Sequence, residues 1–267
     1  MTTYLPLARQ VGQIARAAGA EILKIYETED FGVEMKADDS PLTRADKAAN
    51  DVIVAGLEAL EFQAPVVSEE SGSHDYATRS QFTRHWLVDP LDGTKEFIKR
   101  NGDFTVNIAL IENGRPVLGV VFVPVTDELF YSAPGEGAYE ETGVGAEPHR
   151  IEAASFTLQD TGLKIVASAS HLNDATREFM EQFDRPEIVQ RGSSLKIMEL
   201  ARGNAHVYPR LAPTMEWDTA AAHAILLEAG GKLVDDGTGQ EMRYHKENLL
   251  NPYFVGYGAV REELLRC

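Results

Sequence analysis

Leu7, Val11, Ile14, Ala18, Ile22 and Ile25 recur at helical spacing along the first stretch of the chain, with polar residues between them. That period puts one apolar stripe on a helix, so the chain opens on an amphipathic helix and not on a secretory leader. "KADDSPLTRADKAANDVIVAGLEAL" follows; its Ser-Pro pair marks a loop, and Thr43 is placed to cap a second helix with Ala49, Ile53, Leu57 and Leu60 on its apolar face. The period then drops to two. "APVVSEES" and "HWLVDPLDGT" each read as a strand ending in acids. From Phe104 to Ala133 the pattern is strand throughout, an antiparallel meander with Asn113-Gly114 as its hairpin signal.

The Gly- and Glu-rich stretch 135–148 is the best candidate for a break. Beyond it strands and helices alternate: a strand at "LKIVASAS", a helix from Asn173 to Phe183, a strand near Ile188, a helix opening at "GSSLKIMELARG", the strand "AHVYPR", and a helix from Trp217 to Gly230-Gly231. "GGKLVDDG" and "YFVGYG" close the pattern as strands. An α+β half over 1–140 and an α/β half over 141–267, packed as one unit, predict layered sheets and helices instead of a simple doubly wound fold.

Composition changes this picture in two ways. The net charge of −17 argues against a protein that wraps a nucleic-acid polymer, which needs a basic face, but leaves room for a small phosphorylated substrate held by metal ions or a few local cations. The single cysteine, Cys267, excludes an intramolecular disulfide and a thiolate metal cluster, and it fits a reducing cytoplasm. No apolar run approaches the length of a membrane span.

Candidate chemistry lies where the strands end. Glu69 and Glu70, Asp89 and Asp92, and Asp218 all stand where an apolar element meets a loop or a helix start. Carboxylates brought together repel unless a cation joins them, and oxygen donors without a cysteine or histidine cluster favour Mg²⁺, Mn²⁺ or Ca²⁺ over zinc. Pro90 fixes the turn that lets Asp89, the Leu91 carbonyl and Asp92 converge; Gly93 admits a ligand close to the backbone, and a helix from Thr94 aims free amides at an anion. Taken singly, each stretch reads as a surface turn or a solvated pair; taken together they favour a metal site.

"VSEES", "WLVDPLDGTKEF" and "EWDTAAAHAILLEAGG" resemble the three signatures of the inositol monophosphatase superfamily of metal-dependent, lithium-sensitive phosphatases. The likeness runs from the first helix to "LLNPYFV", and "DGTKEFIKRNGDFTVNIALIENG", "SASH", "GSSLK" and "VYPR" look like its bacterial 3′(2′),5′-bisphosphate nucleotidase branch. The resemblance implies a layered αβαβα sandwich that hydrolyses the 3′-phosphate of adenosine 3′,5′-bisphosphate, and of its 5′-phosphosulfate form, in the service of sulfur metabolism. It implies two or three Mg²⁺ ions, with Mn²⁺ substituting and Li⁺ inhibiting. Carried residue by residue, it gives Glu69, Asp89, the Leu91 carbonyl, Asp92 and Asp218 as metal ligands, with Glu70 one step behind them. The arrangement expected has Asp89 between two ions.

A proton must leave the attacking water. Thr94 is placed to relay it and Asp46 to accept it, although "TRAD" also reads as a capping box with Asp46 three residues after Thr43; the two roles are compatible. The substrate contacts implied are Glu69, Leu91, Asp92, Gly93, Thr94 and Asp218 around the scissile phosphate. His171, Ser193, Lys196 and Arg210 are those implied around the rest of the nucleotide. Ser193 or Ser194 is expected to cap a helix and turn amides towards phosphate, while the Arg210 fork suits phosphate oxygens. Glu216 departs from the apolar residue expected before Trp217, and either tunes metal affinity or faces solvent. Lys95, Lys99 and Arg100 either steer substrate or solvate their loop. An inositol or sugar monophosphatase is the competing enzyme, and a non-catalytic Ca²⁺-binding interaction module the competing class. A homodimer, and a cytoplasmic place near the inner face of the membrane, follow from the resemblance alone.

Overall fold

A computed structural model of the chain describes residues 4–28, 31–32, 34–35, 41–71, 75–167 and 173–261. His171 and Cys267, both singled out above, lie outside the described residues. The chain opens on helix α1 (Leu5–Tyr26), then a small ladder of β1 (Glu34–Met35) and β2 (Pro41–Leu42), then helix α2 (Arg44–Glu58). Strand β3 (Val66–Ser68), helix α3 (Tyr76–Arg79), strand β4 (Arg84–Asp92) and the short helix α4 (Thr94–Ile98) come next. The meander follows as β5 (Thr105–Glu112), β6 (Arg115–Val123), β7 (Glu128–Ala133), β8 (Gly137–Thr142) and β9 (His149–Ile151). The second half runs β10 (Ser155–Phe156), β11 (Lys164–Ala167), α5 (Asp174–Met180), β12 (Glu187–Gln190), α6 (Leu195–Ala201) and β13 (Val207–Arg210). It closes with α7 (Glu216–Glu228), β14 (Lys232–Asp235), β15 (Phe254–Tyr257) and β16 (Ala259–Val260).

Strands β3 to β9 form one seven-stranded sheet in chain order, antiparallel except for the parallel β3–β4 edge. A five-stranded sheet has the order β12-β11-β13-β15-β14, with its first three strands parallel and the last two antiparallel. Alternation along β4 explains the stacking. Trp86 and Val88 face α1 and α2 beside Val11, Ile22 and Ile53, whereas Leu87 faces the opposite core with Ala109, Phe130 and Ile225. Each such fully buried side chain contributes about 2 kcal/mol. Helices α6 and α7 fill the space between the two sheets, and α5 packs with Phe156, Ile165, Val207 and Val255 outside the smaller one. The result is the αβαβα layering expected.

Local chemistry fixes the joints. Asn113 and Gly114 both adopt left-handed φ, at +50° and +74°, as a two-residue turn matched to the twist of β5 and β6 requires. Helix α7 lies between two sheets, so nearly all of its first ten residues are buried and no polar stripe marks it. The large sheet runs on through the stretch read as a break: β8 lies inside 135–148 and pairs with both β7 and β9, and Glu228 accepts the amides of Gly135 and Gly137. Helix α5 ends earlier than periodicity suggests, at Met180. Among the described residues no helix is long and apolar enough to cross a membrane.

Candidate active site

Strand β4 carries its apolar run into the two acids by way of a register shift. Asp89 pairs with Asn107 and Asp92 with Thr105, so the Pro90-Leu91 step bulges out of the ladder. Inside the bulge Asp89 Oδ1 accepts the Leu91 amide at 3.0 Å, which keeps that carboxylate tucked under the turn. Gly93 follows at φ +98°, and a Cβ there would lie 3.0 Å from the Asp103 carbonyl. The turn is therefore closed to other residues, and α4 starts beyond it at Thr94.

Three acids from three elements meet at this point. Carboxylate oxygens of Glu69 (after β3), Asp89 and Asp218 (third residue of α7) lie within 4.8 Å of one another. Burial, with the charges of Glu69, Asp92 and Asp218, holds Asp89 well above the usual carboxylate range. Burial and the Asp92 charge push Asp218 up to about 8. Both acids are thus unfavourable as anions where they stand, and a hard cation removes that penalty. All-oxygen donors at this spacing fit a divalent ion of the Mg²⁺ or Mn²⁺ type.

Asp92 is arranged differently. Its Oδ2 accepts the Ser193 hydroxyl at 2.6 Å and the Ser194 amide at 2.7 Å. Ser193 sits at φ +49°, a left-handed conformation in which hydroxyl and next amide converge on one oxygen. This corrects the expected role of the serines. Neither side chain caps α6, and the Ser194 amide expected to meet phosphate is held by Asp92. The Ser194 hydroxyl instead bonds Thr105 at 2.8 Å and Asn107 at 2.9 Å, joining α6 to β5.

Asp46 is placed for both expected roles. Its Oδ2 accepts the Thr43 amide and hydroxyl, at 2.7 and 2.6 Å, closing a capping box at α2, while Oδ1 faces the Thr94 hydroxyl at 3.3 Å. Burial raises its pKa, opposed by the Thr43 bonds and assisted by the charge of Glu70. Thr94 Oγ1 also lies 3.4 Å from the Leu91 carbonyl, so Thr94, that carbonyl and Asp46 are contiguous.

One cavity is lined by the acids Asp92 and Asp218 together with Lys196, Tyr208 and Arg210. Lys196 is buried over the Tyr208 ring, and burial together with the nearby Arg210 charge brings its pKa down to about 8 against the pull of Asp92. Arg210 donates through Nη2 to the Pro213 carbonyl at 2.9 Å; its buried Nε finds no hydrogen-bond partner among the described residues.

Two other expectations change. Arg100 neither steers nor solvates: it donates to the carbonyls of Tyr26 and Thr28 and lies over the Tyr26 and Phe31 rings, stapling the end of α1. Glu216 neither faces solvent nor borders the cavity; it is fully buried and paired with Lys246. Thr105, Asn107 and Lys246 were not singled out by the sequence. Nothing local marks them, since their partners stand many residues away.

Comparison with known proteins identifies the family and the fold. The profile of the inositol monophosphatase family matches residues 6–256. The 3′(2′),5′-bisphosphate nucleotidase CysQ of Salmonella typhimurium is 46% identical over 250 residues, covering 93% of this chain and 98% of that protein. The crystal structure of CysQ from Bacteroides thetaiotaomicron superposes with a TM-score of 0.85 at 45% identity, covering 97% and 99% of the two chains. An inositol monophosphatase from Anabaena shares the fold at a TM-score of 0.73 with 24% identity, covering 95% and 91%.

Proposed function

The chain belongs to the inositol monophosphatase family, and from that premise we propose that it is a Mg²⁺-dependent 3′(2′),5′-bisphosphate nucleotidase, releasing the 3′-phosphate of adenosine 3′,5′-bisphosphate. The observation that carries this reading is the shared cavity. It brings the acids Asp92 and Asp218 and the cations Lys196 and Arg210 to one cleft, so a metal-held phosphate and a second phosphate could both be met there.

In this reading Glu69, Asp89, the Leu91 carbonyl, Asp92 and Asp218 hold the divalent ions, with Mn²⁺ able to replace Mg²⁺ and Li⁺ inhibitory. The ions supply charge neutralisation on the phosphoryl oxygens and acidify the attacking water. The Thr94 hydroxyl takes the water's proton as it passes its own to Asp46 Oδ1, which faces it at 3.3 Å. A buried carboxyl with a raised pKa suits that base role, because it is a stronger base than a free carboxylate. Gly93 and the start of α4 give the phosphate room against the backbone. Lys196 and the unpartnered Arg210 Nε receive the second phosphate, a charge-assisted pairing that an inositol monophosphate lacks.

Phosphate release with Mg²⁺, compared for adenosine 3′,5′-bisphosphate and inositol 1-phosphate, tests the proposal. We expect kcat/KM to favour the nucleotide at least tenfold, about 1.4 kcal/mol of transition-state binding, and Li⁺ to suppress turnover. Preference for the inositol ester overturns the substrate, and absence of any turnover returns the acids to the non-catalytic Ca²⁺ reading.

A further inference from the structure

Glu216 stands two residues before Asp218 and is fully buried, at 0% exposure. A buried carboxylate is tolerated only when donors saturate it. Here the His245 amide reaches Oε2 at 2.7 Å, while the Lys246 amide and Nζ reach Oε1 at 3.0 and 2.5 Å. All three donors come from the strap 241–251 that joins β14 to β15. His245 adopts φ +71°, which lets two successive amides face one carboxylate.

The strap is bolted on both sides of the acid site. Arg79, closing α3 ten residues after Glu69, donates to the carbonyls of Lys246 and Glu247 at 3.1 and 2.9 Å and accepts His245 Nε2 on its own carbonyl at 2.6 Å. On the α7 side the Glu216 amide donates to the Leu249 carbonyl at 2.8 Å. Asn251 Nδ2 donates to the Met215 carbonyl at 2.7 Å and to Thr219 Oγ1 at 3.0 Å. Residues on either side of Asp218 are therefore tied to one strap, and the same strap is tied to the element that follows Glu69.

We infer that Glu216, paired with Lys246, is a positioning residue that fixes the first turn of α7 and so keeps the Asp218 carboxylate beside Glu69 and Asp89 for the cation they hold. This rests on the reading of Asp218 as a cation ligand. Glutamate in a helix's first turn favours the helix dipole from an exposed position as well; burial onto a lysine and two strap amides is not needed for that. What burial adds is a single geometry for the turn, and partners that orient metal ligands commonly change affinity by about 10- to 100-fold when removed.

The test is Mn²⁺ calorimetry on the full-length, nucleotide-free protein, comparing wild type with Asp218→Asn, Glu216→Gln and Lys246→Arg, each with its melting temperature. We expect Glu216→Gln to weaken Mn²⁺ about tenfold or more and Lys246→Arg, which keeps the charge, to stay near wild type. Wild-type affinity in Glu216→Gln overturns the inference whatever its melting temperature. Wild-type affinity in Asp218→Asn overturns the ligand reading beneath it, so the two failures are distinguishable. Should Glu216→Gln not fold, hydrogen exchange on wild type decides: coupling is reciprocal, so Mg²⁺ must slow exchange at the His245 and Lys246 amides, and unchanged exchange overturns the inference.

Discussion

Asp46 divides its two oxygens between structure and chemistry, and that division can be separated by one substitution. Oδ2 closes the α2 cap and Oδ1 meets the Thr94 hydroxyl. Asp46→Asn keeps an oxygen for the cap, so stability should fall by no more than about 1 kcal/mol. It removes the proton acceptor, and kcat should fall about 100-fold or more. Turnover near wild type, measured at saturating substrate beside a urea melt, would remove Asp46 from the mechanism. Lys196 separates binding from chemistry in the same way. Lys196→Met deletes one of the two cations that line the cavity. It should raise KM for adenosine 3′,5′-bisphosphate about 10- to 100-fold, the worth of one hydrogen bond to a charged group. The same enzyme's turnover of inositol 1-phosphate should hardly change. Equal losses on both substrates would mean that Lys196 supports the fold of the site and not the second phosphate.

Helix α7 has to lie at one distance from the large sheet for Asp218 to reach Asp89, and Gly119 in β6 sets that distance. A Cβ at Gly119 would lie 2.1 Å from the Ala221 carbonyl of α7, against backbone that cannot swing aside. Gly119→Ala should lower stability by about 1–3 kcal/mol and weaken metal binding as well, seen in a urea melt and Mn²⁺ calorimetry together. Undiminished stability would show that α7 has freedom the packing denies it. Elements of this kind explain what could be read from sequence. The β5–β6 hairpin and the α2 cap were legible because Asn113-Gly114 and Thr43 act on their nearest neighbours. The clustered acids were legible through the family signatures that contain them. Contacts across the fold were not: Ser193 and Asp92 are 101 positions apart, and Glu216 meets a lysine 30 positions later. The strand β8 was hidden by glycines at 135, 137, 143 and 145, whose left-handed φ values serve the turns around it.

At the scale of the whole molecule, buried titrating groups set how stability responds to pH and metal. Asp218 rises from 3.8 unfolded to about 8 folded, so between those values the native state holds more protons and stability falls as pH rises. Asp89 acts in the same direction. His85 and His223 are both brought down from 6.5 to about 3 by burial, so between those values the unfolded state holds more protons and stability rises with pH. The histidine and acid trends oppose each other below about pH 6.5, the acids act without that opposition from there to about pH 8, and above that Lys196, brought down from 10.5 to about 8, opposes them; each group contributes a slope of at most about 1.4 kcal/mol per pH unit. The chelator-treated protein should therefore lose stability from about pH 6.5 to 8, because ionising carboxylates have no cation to meet. With saturating Mg²⁺ the ionised acids are the ones that bind, so the loss should vanish and the gap between the two forms should widen with pH. The net charge of −17 adds a diffuse repulsion of the same sign, but salt at about 0.1 M screens it beyond roughly 10 Å and leaves the buried cluster largely untouched. Urea melts with chelator and with Mg²⁺, at about pH 6, 7 and 8.5 and at two salt concentrations, read this directly. A gap that salt abolishes would assign the effect to surface charge, and a gap independent of pH would mean that the acids at the cluster are not the groups that bind the metal.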